Sequence, residues 1–160
     1  MSVDVDQIVE EARRTDPAFL NLHNRELTAV PESVRTLTGV RHLSLDFNQL
    51  TELPEWLGEL DTLTHLSISG NPLGRLPDWL GRLTSLRTLL ASSVRLTELP
   101  PAIGDLTTLT ALNLSGNGLT QLSYNRHVRL PPEMSEARMN PDLTGTGVKT
   151  AYLRDLLRRA

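Results

Sequence analysis

The sequence predicts an α/β solenoid, a coil of short strands and helices in which each turn resembles the next. Three observations predict it. The chain repeats itself every 23 residues, with one degenerate copy from Pro17 and regular copies from Val40, Leu63, Leu86 and Leu109. Leucine accounts for 32 of the 160 residues, whereas only 4% of the residues are aromatic. Stacked repeats that bury one aliphatic residue over the next explain both proportions, since no repeat buries its leucines alone.

Each copy follows the pattern L-x-x-L-x-L-x-x-N-x-L-x-x-L-P-x-x-L-x-x-L-x-x. Its L-x-L step indicates a strand with alternate residues buried, and the strands are expected to form a parallel sheet on the concave side. We expect five strands, near 18–22, 41–45, 64–68, 87–91 and 110–114. The proline after L-P is tolerated at the beginning of a helical turn. Short helices are therefore expected on the convex side, near 31–37, 54–60, 77–83 and 100–106.

The asparagine of the pattern has a predicted structural role. It is present as Asn48, Asn71 and Asn117. A side-chain amide at this point can hydrogen-bond to the turn backbone that the sheet leaves unpaired. We therefore expect these three residues to form a structural ladder along the solenoid.

The two ends of the chain are expected to cover the terminal repeats, which would otherwise expose leucines. A helix over 4–14 is predicted, with Asp4 and Gln7 at the spacing of a capping box. The whole chain, 1–160, is expected to be a single domain. Its parts are an N-terminal cap helix over 1–16, the repeats over 17–122, and an insertion with a C-terminal cap over 123–160.

The pattern, over about residues 17–122, is identified as that of leucine-rich-repeat proteins. An acidic helix ending in EEARRT, then L-x-x-L-P repeats and a tail with LPPEM and AYLRDLL, resembles the repeat region of bacterial Roc–COR proteins and of stand-alone bacterial leucine-rich-repeat proteins. The resemblance implies a right-handed solenoid forming a short arc, with helical caps at both ends. In the larger family the tail leads into a GTPase domain, and no nucleotide-hydrolysing activity is expected of these 160 residues.

Several classes of function are not expected. The chain has no cysteine, so it has neither a disulfide nor a cysteine-based zinc site. Its net charge of −3 argues against a general nucleic-acid binder. No apolar run is long enough to span a membrane, and the acidic N-terminus lacks the pattern of a secretory signal, which predicts a cytoplasmic protein. We expect no cofactor and no small-molecule ligand, since the GTGVKT segment at 145–150 lacks the second glycine of a phosphate loop.

Residues at the third, fifth and seventh positions of each repeat point outward on the concave side, because they alternate with the buried leucines. The leading candidates for partner contact lie there or beside it: Phe19, His23, His42, Asp46, Phe47 and His65. The alternative is an ordinary solvated sheet face. His42 and His65 are expected to be cross-strand neighbours, as are His23 and Asp46. Such a set has the ligand types of a transition-metal site, although neither a metal nor a catalytic residue is expected.

The fourth repeat departs from the pattern. Val94 replaces the asparagine, Ala91 replaces a large inward residue, and Leu90 lies at an outward position. Leu90 is therefore a further candidate for partner contact. The alternative is compensation, with Leu90 or Val94 turning inward to fill the space beside Ala91.

Trp56 and Trp79 lie one period apart, each two residues after a proline. They are expected to stack on the convex flank as a second candidate interface. The alternative is that they pack over their own repeats, beside Gly58 and Gly81.

The sequence thus predicts a non-enzymatic protein–protein interaction module. It would act as an adaptor or regulator, binding a protein partner of unknown identity through the concave face or the tryptophan-bearing flank. One alternative is a secreted bacterial effector that engages host proteins. The other is a small enzyme or metal-binding protein that uses the His/Asp side chains of the concave face.

Overall fold

The structure, a computed structural model, describes residues 4–119 and confirms the predicted fold. Five parallel strands lie side by side in chain order, and each residue pairs with the one 23 positions further on. The strands are β1 (Phe19–Asn21), β2 (His42–Ser44), β3 (His65–Ser67), β4 (Thr88–Leu90) and β5 (Ala111–Asn113).

The strands are centred where the pattern places them, but each spans three residues instead of five. The central leucine of every strand is buried, and its two neighbours are more exposed. Backbone pairing nevertheless continues beyond the strands. The Leu22 N–H donates to the Ser44 carbonyl at 2.8 Å, and the Leu45 N–H donates to the Ser67 carbonyl at 2.8 Å. Successive repeats are therefore in register over a longer stretch than the strands themselves.

The turn that follows each strand needs a left-handed backbone conformation. In all five repeats the eighth residue has a positive φ, between 53° and 70°. These residues are Asn24, Phe47, Gly70, Ser93 and Gly116. Glycine and asparagine adopt this conformation readily, whereas a bulky aromatic residue is an outlier in it.

The convex side consists of 3-10 helices rather than α-helices. They span Glu32–Thr36, Glu55–Glu59, Asp78–Arg82 and Pro101–Asp105. In the second of them the Leu57 N–H donates to the Pro54 carbonyl, three residues back, at 3.1 Å. Because a 3-10 helix has three residues per turn, positions i and i+3 lie on the same side. This explains why the buried leucines of each helix recur at that spacing, as Leu57 and Leu60 do.

Helix α1 (Val5–Thr15) packs on the first repeat through Val9 and Ala12, which are buried. Asp4 is its N-cap residue, but the capping-box pair with Gln7 is wrong. The Asp4 carboxylate instead accepts from the Asp6 N–H at 3.1 Å.

The predicted insertion and C-terminal cap at 123–160 lie outside the described residues. Within residues 4–119, no helix is both long enough and apolar enough to cross a lipid bilayer.

Candidate partner-binding face

The asparagine ladder, Asn48, Asn71 and Asn117, is buried and fully hydrogen-bonded. The Asn48 Nδ2 donates to the carbonyls of Leu22 and Leu45, both at 2.8 Å. Its Oδ1 accepts from the backbone N–H groups of Arg25 and Leu27. Asn117 makes the full corresponding set, and Asn71 makes the same two donor bonds but accepts from one backbone N–H, that of Leu50. Each asparagine therefore connects its turn to the turn of the preceding repeat.

The fourth repeat interrupts this ladder, and two N–H groups of the neighbouring turn bond to backbone carbonyls instead. Val94 is fully buried beside the fully buried Ala91. The Leu73 N–H donates to the Asn71 carbonyl at 2.9 Å, and the Gly74 N–H donates to the Val94 carbonyl at 2.9 Å. Of the two residues considered for filling space, Val94 turns inward, whereas Leu90 is half-buried and lines the concave side.

Three rings form a line across the first three strands of the concave face. His42 and His65 are stacked, with ring centroids 4.1 Å apart and an interplanar angle of 13°. Phe19 lies beside His42, with centroids 6.1 Å apart. The cross-strand register pairs Phe19 with His42 and His42 with His65, which brings the three rings together.

The rings and Leu90 border a shallow cleft on this face, which we call the concave cleft. Its volume is about 150 Å³. Thr88 and the strand residues between the rings complete its lining. Leu90 gives it an apolar wall at a position that is serine in the two preceding repeats, Ser44 and Ser67.

The pKa of His65 is shifted by its surroundings. Burial, followed by the neighbouring His42 and Arg87, holds the pKa of His65 below its ordinary value of 6.5. Burial penalises the charged imidazolium, and the two other groups repel it. His65 is therefore a neutral side chain at neutral pH.

The Asp46 carboxylate accepts hydrogen bonds from its own repeat and from the next one. One carboxylate oxygen accepts from the Ser67 hydroxyl at 2.6 Å and from the Ser69 N–H at 2.7 Å. The other accepts from the Ser44 hydroxyl at 3.0 Å. These bonds connect β2 and β3 at the ends of the strands.

His23 and Asp46 are neighbours in successive repeats, as expected, since the Asn24 N–H donates to the Asp46 carbonyl at 2.9 Å. The His23 ring, however, contacts a different side chain. That ring lies edge-on to Phe47, with centroids 5.2 Å apart. Within residues 4–119, no three histidine, aspartate or glutamate side chains cluster as metal ligands do. The stacked rings of His42 and His65 are nearly parallel, so their in-plane nitrogen lone pairs do not converge on one point.

Phe47 is the unusual residue at the rim of the concave face. Phe47 is 59% exposed, and its backbone has the left-handed φ of +54°, which is rare for a bulky residue. The ring rests on Gly70, where an added Cβ atom would come within 2.8 Å of it. Gly70 thus provides the left-handed turn of its own repeat and also the space for the Phe47 ring.

The two tryptophans lie where predicted on the convex flank but do not form the expected stacked pair. Both are half-buried and pack against the core. Trp79 lies over Gly58, where an added Cβ atom would be 3.2 Å from its ring. The residue that closes over Gly81 is Ala102, together with Asp105. Packing is therefore the better description of Trp79.

One feature of this face was not predicted from the sequence, the left-handed residue after each strand. The signal was present in the eighth position of the repeats, where asparagine and glycine recur. This pattern indicates a left-handed backbone at the eighth position, which phenylalanine disfavours, so it would have singled out Phe47.

The comparisons with known proteins agree with this architecture. A family model described as leucine rich repeat matches residues 19–73. No curated protein matches the sequence of the chain. The fold and the matched repeats define the class of fold: the chain is a leucine-rich-repeat solenoid, and residues 19–73 are similar to the leucine-rich-repeat family.

Solved structures of bacterial proteins share the fold. A leucine-rich-repeat protein of Leptospira interrogans is 31% identical, with a TM-score of 0.64 over 78% of this chain and 30% of that one. Internalin C2 of Listeria monocytogenes is 25% identical, with a TM-score of 0.65 over 82% of this chain and 62% of that one. A second Listeria monocytogenes internalin, InlJ, is 25% identical, with a TM-score of 0.62, covering 84% of this chain and 26% of the other.

The chain thus spans less than two thirds of the first two of these relatives. Leucine-rich repeats typically mediate protein–protein interaction and are generally not enzymes, so the fold and its neighbours support a binding role.

Proposed function

We propose that the protein is a non-enzymatic protein–protein interaction module, an adaptor or regulator that binds a protein partner through its concave face. One observation carries the proposal. Among residues 4–119, the exposed large hydrophobic side chains are Phe19, at 52%, and Phe47, at 59%, and both border the same half of the concave face. Exposed apolar side chains gathered at one place are typical of an interaction site.

The conformation of Phe47 supports the same face. A bulky residue in the left-handed region costs free energy, of the order of 1–2 kcal/mol. Strain of this kind is concentrated at functional sites in proteins. The Phe47 ring adds little to the core, since more than half of its surface is exposed. Contact with a partner gives this residue a purpose that folding alone does not.

The arrangement of the rings is also suited to binding. His42 is held between Phe19 and His65, and Phe47 between His23 and Gly70. Rings that are already positioned lose little conformational entropy when a partner binds, which favours affinity.

Affinity capture compares the two candidate surfaces directly. Tagged full-length protein is used with a concave variant, Phe19→Thr with Phe47→Asn, and with a convex variant, Trp79→Ala. The concave substitutions take residues already present in the same columns, Thr88 and Asn24, so the fold is expected to be retained. We expect the concave variant to lose a partner that the wild type retains, and the convex variant to retain it.

Thermal melting of each variant is measured alongside, so that loss of fold is separated from loss of contact. Equal capture of the same partner by the wild type and the folded concave variant would contradict the proposal. Loss in a folded Trp79→Ala variant alone would move the interface to the convex flank. The predicted cytoplasmic location is tested separately, by fractionation of the cells that make the protein.

A further inference from the structure

The hydroxyl of Thr64 contacts both the backbone carbonyl of Arg41 and the ring of His65. The Thr64 Oγ1 donates to the backbone carbonyl of Arg41 at 3.0 Å. The same oxygen is 2.9 Å from the His65 Nδ1. A hydroxyl has one hydrogen, so when that hydrogen is donated to the carbonyl, the Thr64 oxygen can accept a ring N–H from His65.

The solenoid contains an internal control for this assignment. Thr110, two repeats further on, makes the same bond to the Arg87 carbonyl at 3.1 Å. The residue after Thr110 is Ala111, which has no ring nitrogen. The contact of the threonine hydroxyl with this carbonyl is therefore a property of the repeat, and it is compatible with Nδ1–H as the donor in His65.

The other nitrogen of His65 is then a hydrogen-bond acceptor. In a neutral imidazole with hydrogen on Nδ1, Nε2 carries the lone pair. Nε2 lies across the ring from the bond to Thr64, and among residues 4–119 no donor hydrogen-bonds to it. Because the pKa of His65 is lowered, the acceptor form predominates at neutral pH.

The surroundings of this acceptor are apolar and of defined size. Phe19 and Leu90 stand on either side of the histidines in the concave cleft. The volume of about 150 Å³ resembles that of apolar cavities that bind one benzene ring. A group that fills the cleft well has a flat apolar body and one N–H or O–H.

We infer that the neutral ring of His65 carries its hydrogen on Nδ1, and that the concave cleft binds one aromatic side chain of the partner, a tryptophan or tyrosine whose N–H or O–H donates to Nε2 of His65. The inference rests on the proposed function and specifies the chemistry of the partner. Binding of this kind is lost on acidification, since a proton on Nε2 removes the acceptor. The titratable and charged groups that act on His65 are His42 on β2 and Arg87 just before β4, while the Asp46 carboxylate is bonded to its serine neighbours.

The test uses nuclear magnetic resonance of the histidine side chains in the full-length chain, which has four histidines. Nitrogen-15 shifts report directly whether Nε2 of His65 is the unprotonated nitrogen. The probes are N-acetyltryptophanamide, N-acetyltyrosinamide and N-acetylphenylalaninamide. We expect the first two to shift the His42 and His65 signals, and to bind about fivefold to tenfold more tightly than the phenylalanine probe, which lacks the donor.

Two variants locate the effect. Leu90→Ser, which takes the residue of the two preceding repeats, is expected to weaken all three probes by removing the apolar wall. Thr64→Val removes the hydroxyl that selects the tautomer, and is expected to reduce the preference for the donor-bearing probes. Thr110→Val is the matched control, because it removes the same type of bond beside an alanine, and it is expected to leave the preference unchanged.

Three results would overturn the inference. They are hydrogen on Nε2 in the neutral ring, equal affinity for the phenylalanine and tryptophan probes, and the absence of any shift of His42 and His65. A partner captured equally by the wild type, Leu90→Ser and Thr64→Val would overturn this inference but not the proposed function. A partner whose capture does not depend on the concave face overturns the proposed function, whatever the probes show.

Discussion

The asparagine ladder and the concave face are both built from residues that recur every 23 positions, yet they differ in how much they vary. The ladder uses the same side chain in three of the five repeats. The outward position of the strands changes along the sheet: Phe19, His42, His65, Thr88 and Ala111. The three ladder asparagines bond to equivalent backbone groups in their turns, so few side chains serve there. Outward residues are free of that requirement, and their identity carries information about the partner.

The fourth repeat shows that the two regions change together. Val94 replaces the ladder residue and is buried, while four positions earlier Leu90 supplies an apolar wall on the concave face. The backbone around Val94 is paired by alternative bonds, so the fold tolerates the exception. The repeat that lacks the ladder asparagine is therefore also the repeat that supplies the apolar wall of the concave cleft.

Removing a ladder residue is expected to have the largest effect on stability. In Asn71→Ala, the buried Leu50 N–H loses its partner at 3.1 Å, and the carbonyls of Leu45 and Ile68 each lose a donor. We expect the free energy of unfolding to fall by about 1–3 kcal/mol, measured by urea denaturation. Capture of the partner by the folded protein is expected to be unchanged.

Gln49, an exposed residue next to Leu50, provides the control for this prediction. Gln49→Ala is expected to change stability by about 0.5 kcal/mol or less. Wild-type stability in Asn71→Ala would show that the ladder is dispensable, and the contrast between the two regions would not hold.

Gly70→Ala tests the point where the interior and the exterior meet. Both Gly70 and Gly74 have a positive φ, so an alanine at either position is expected to cost about 1–2 kcal/mol. Only at Gly70 would the added methyl group also meet the Phe47 ring, whereas Gly74 has open space around it. We therefore expect Gly70→Ala to lower the denaturation midpoint more than Gly74→Ala does, and also to weaken partner capture.

A double-mutant cycle isolates the contact with the ring. In a Phe47→Asn background, Gly70→Ala is expected to cost no more than Gly74→Ala. If the two glycine variants are equally destabilised in the wild-type background, the Phe47 ring is not seated on Gly70 in solution.

Phe47→Asn is expected to separate stability from binding. Asparagine adopts the left-handed conformation more readily, as Asn24 does in the first repeat, so strain is relieved. Loss of the edge contact with His23 offsets part of the gain, and we expect a net increase of about 0.5 kcal/mol. Partner capture is expected to fall at the same time.

Ser93→Asn is the matched substitution in the fourth repeat. It relieves the strain of the same left-handed backbone conformation without removing a ring. Stability is therefore expected to rise with no loss of capture. A Phe47→Asn protein that is clearly less stable than the wild type would show that the ring serves the fold.

The smallest expected effect is the dependence of stability on pH at His65. Because the pKa of His65 is lower in the folded chain than the ordinary 6.5, the unfolded chain takes up a proton more readily. The contribution of His65 is complete above pH 6.5 and is lost as the pH falls through the folded pKa. His65→Thr, with the residue of Thr88, is expected to reduce the loss of melting temperature between about pH 7.5 and about pH 5.5. An unchanged pH dependence in this variant would show that His65 is not held in its neutral form.

The sequence by itself determined the periodic features of this protein. The L-x-L steps located the strands, the L-P steps located the convex helices, and Asn48, Asn71 and Asn117 were recognised as one column. These features follow from burial with a fixed repeat, which is a one-dimensional pattern and is readable in one dimension. The type of convex helix was not readable, since a spacing of i, i+3 is common to α and 3-10 helices.

Only the tertiary structure decided what the outward residues do, because their partners belong to other repeats and depend on side-chain direction. The register brings His42 over His65. It does not reveal that the carboxylate of Asp46 accepts hydrogen bonds from serines, that Phe47 lies on Gly70, or that the Thr64 hydroxyl contacts Nδ1 of His65. Each of these depends on individual hydrogen bonds or close side-chain contacts, which the residue types in a repeat column do not specify.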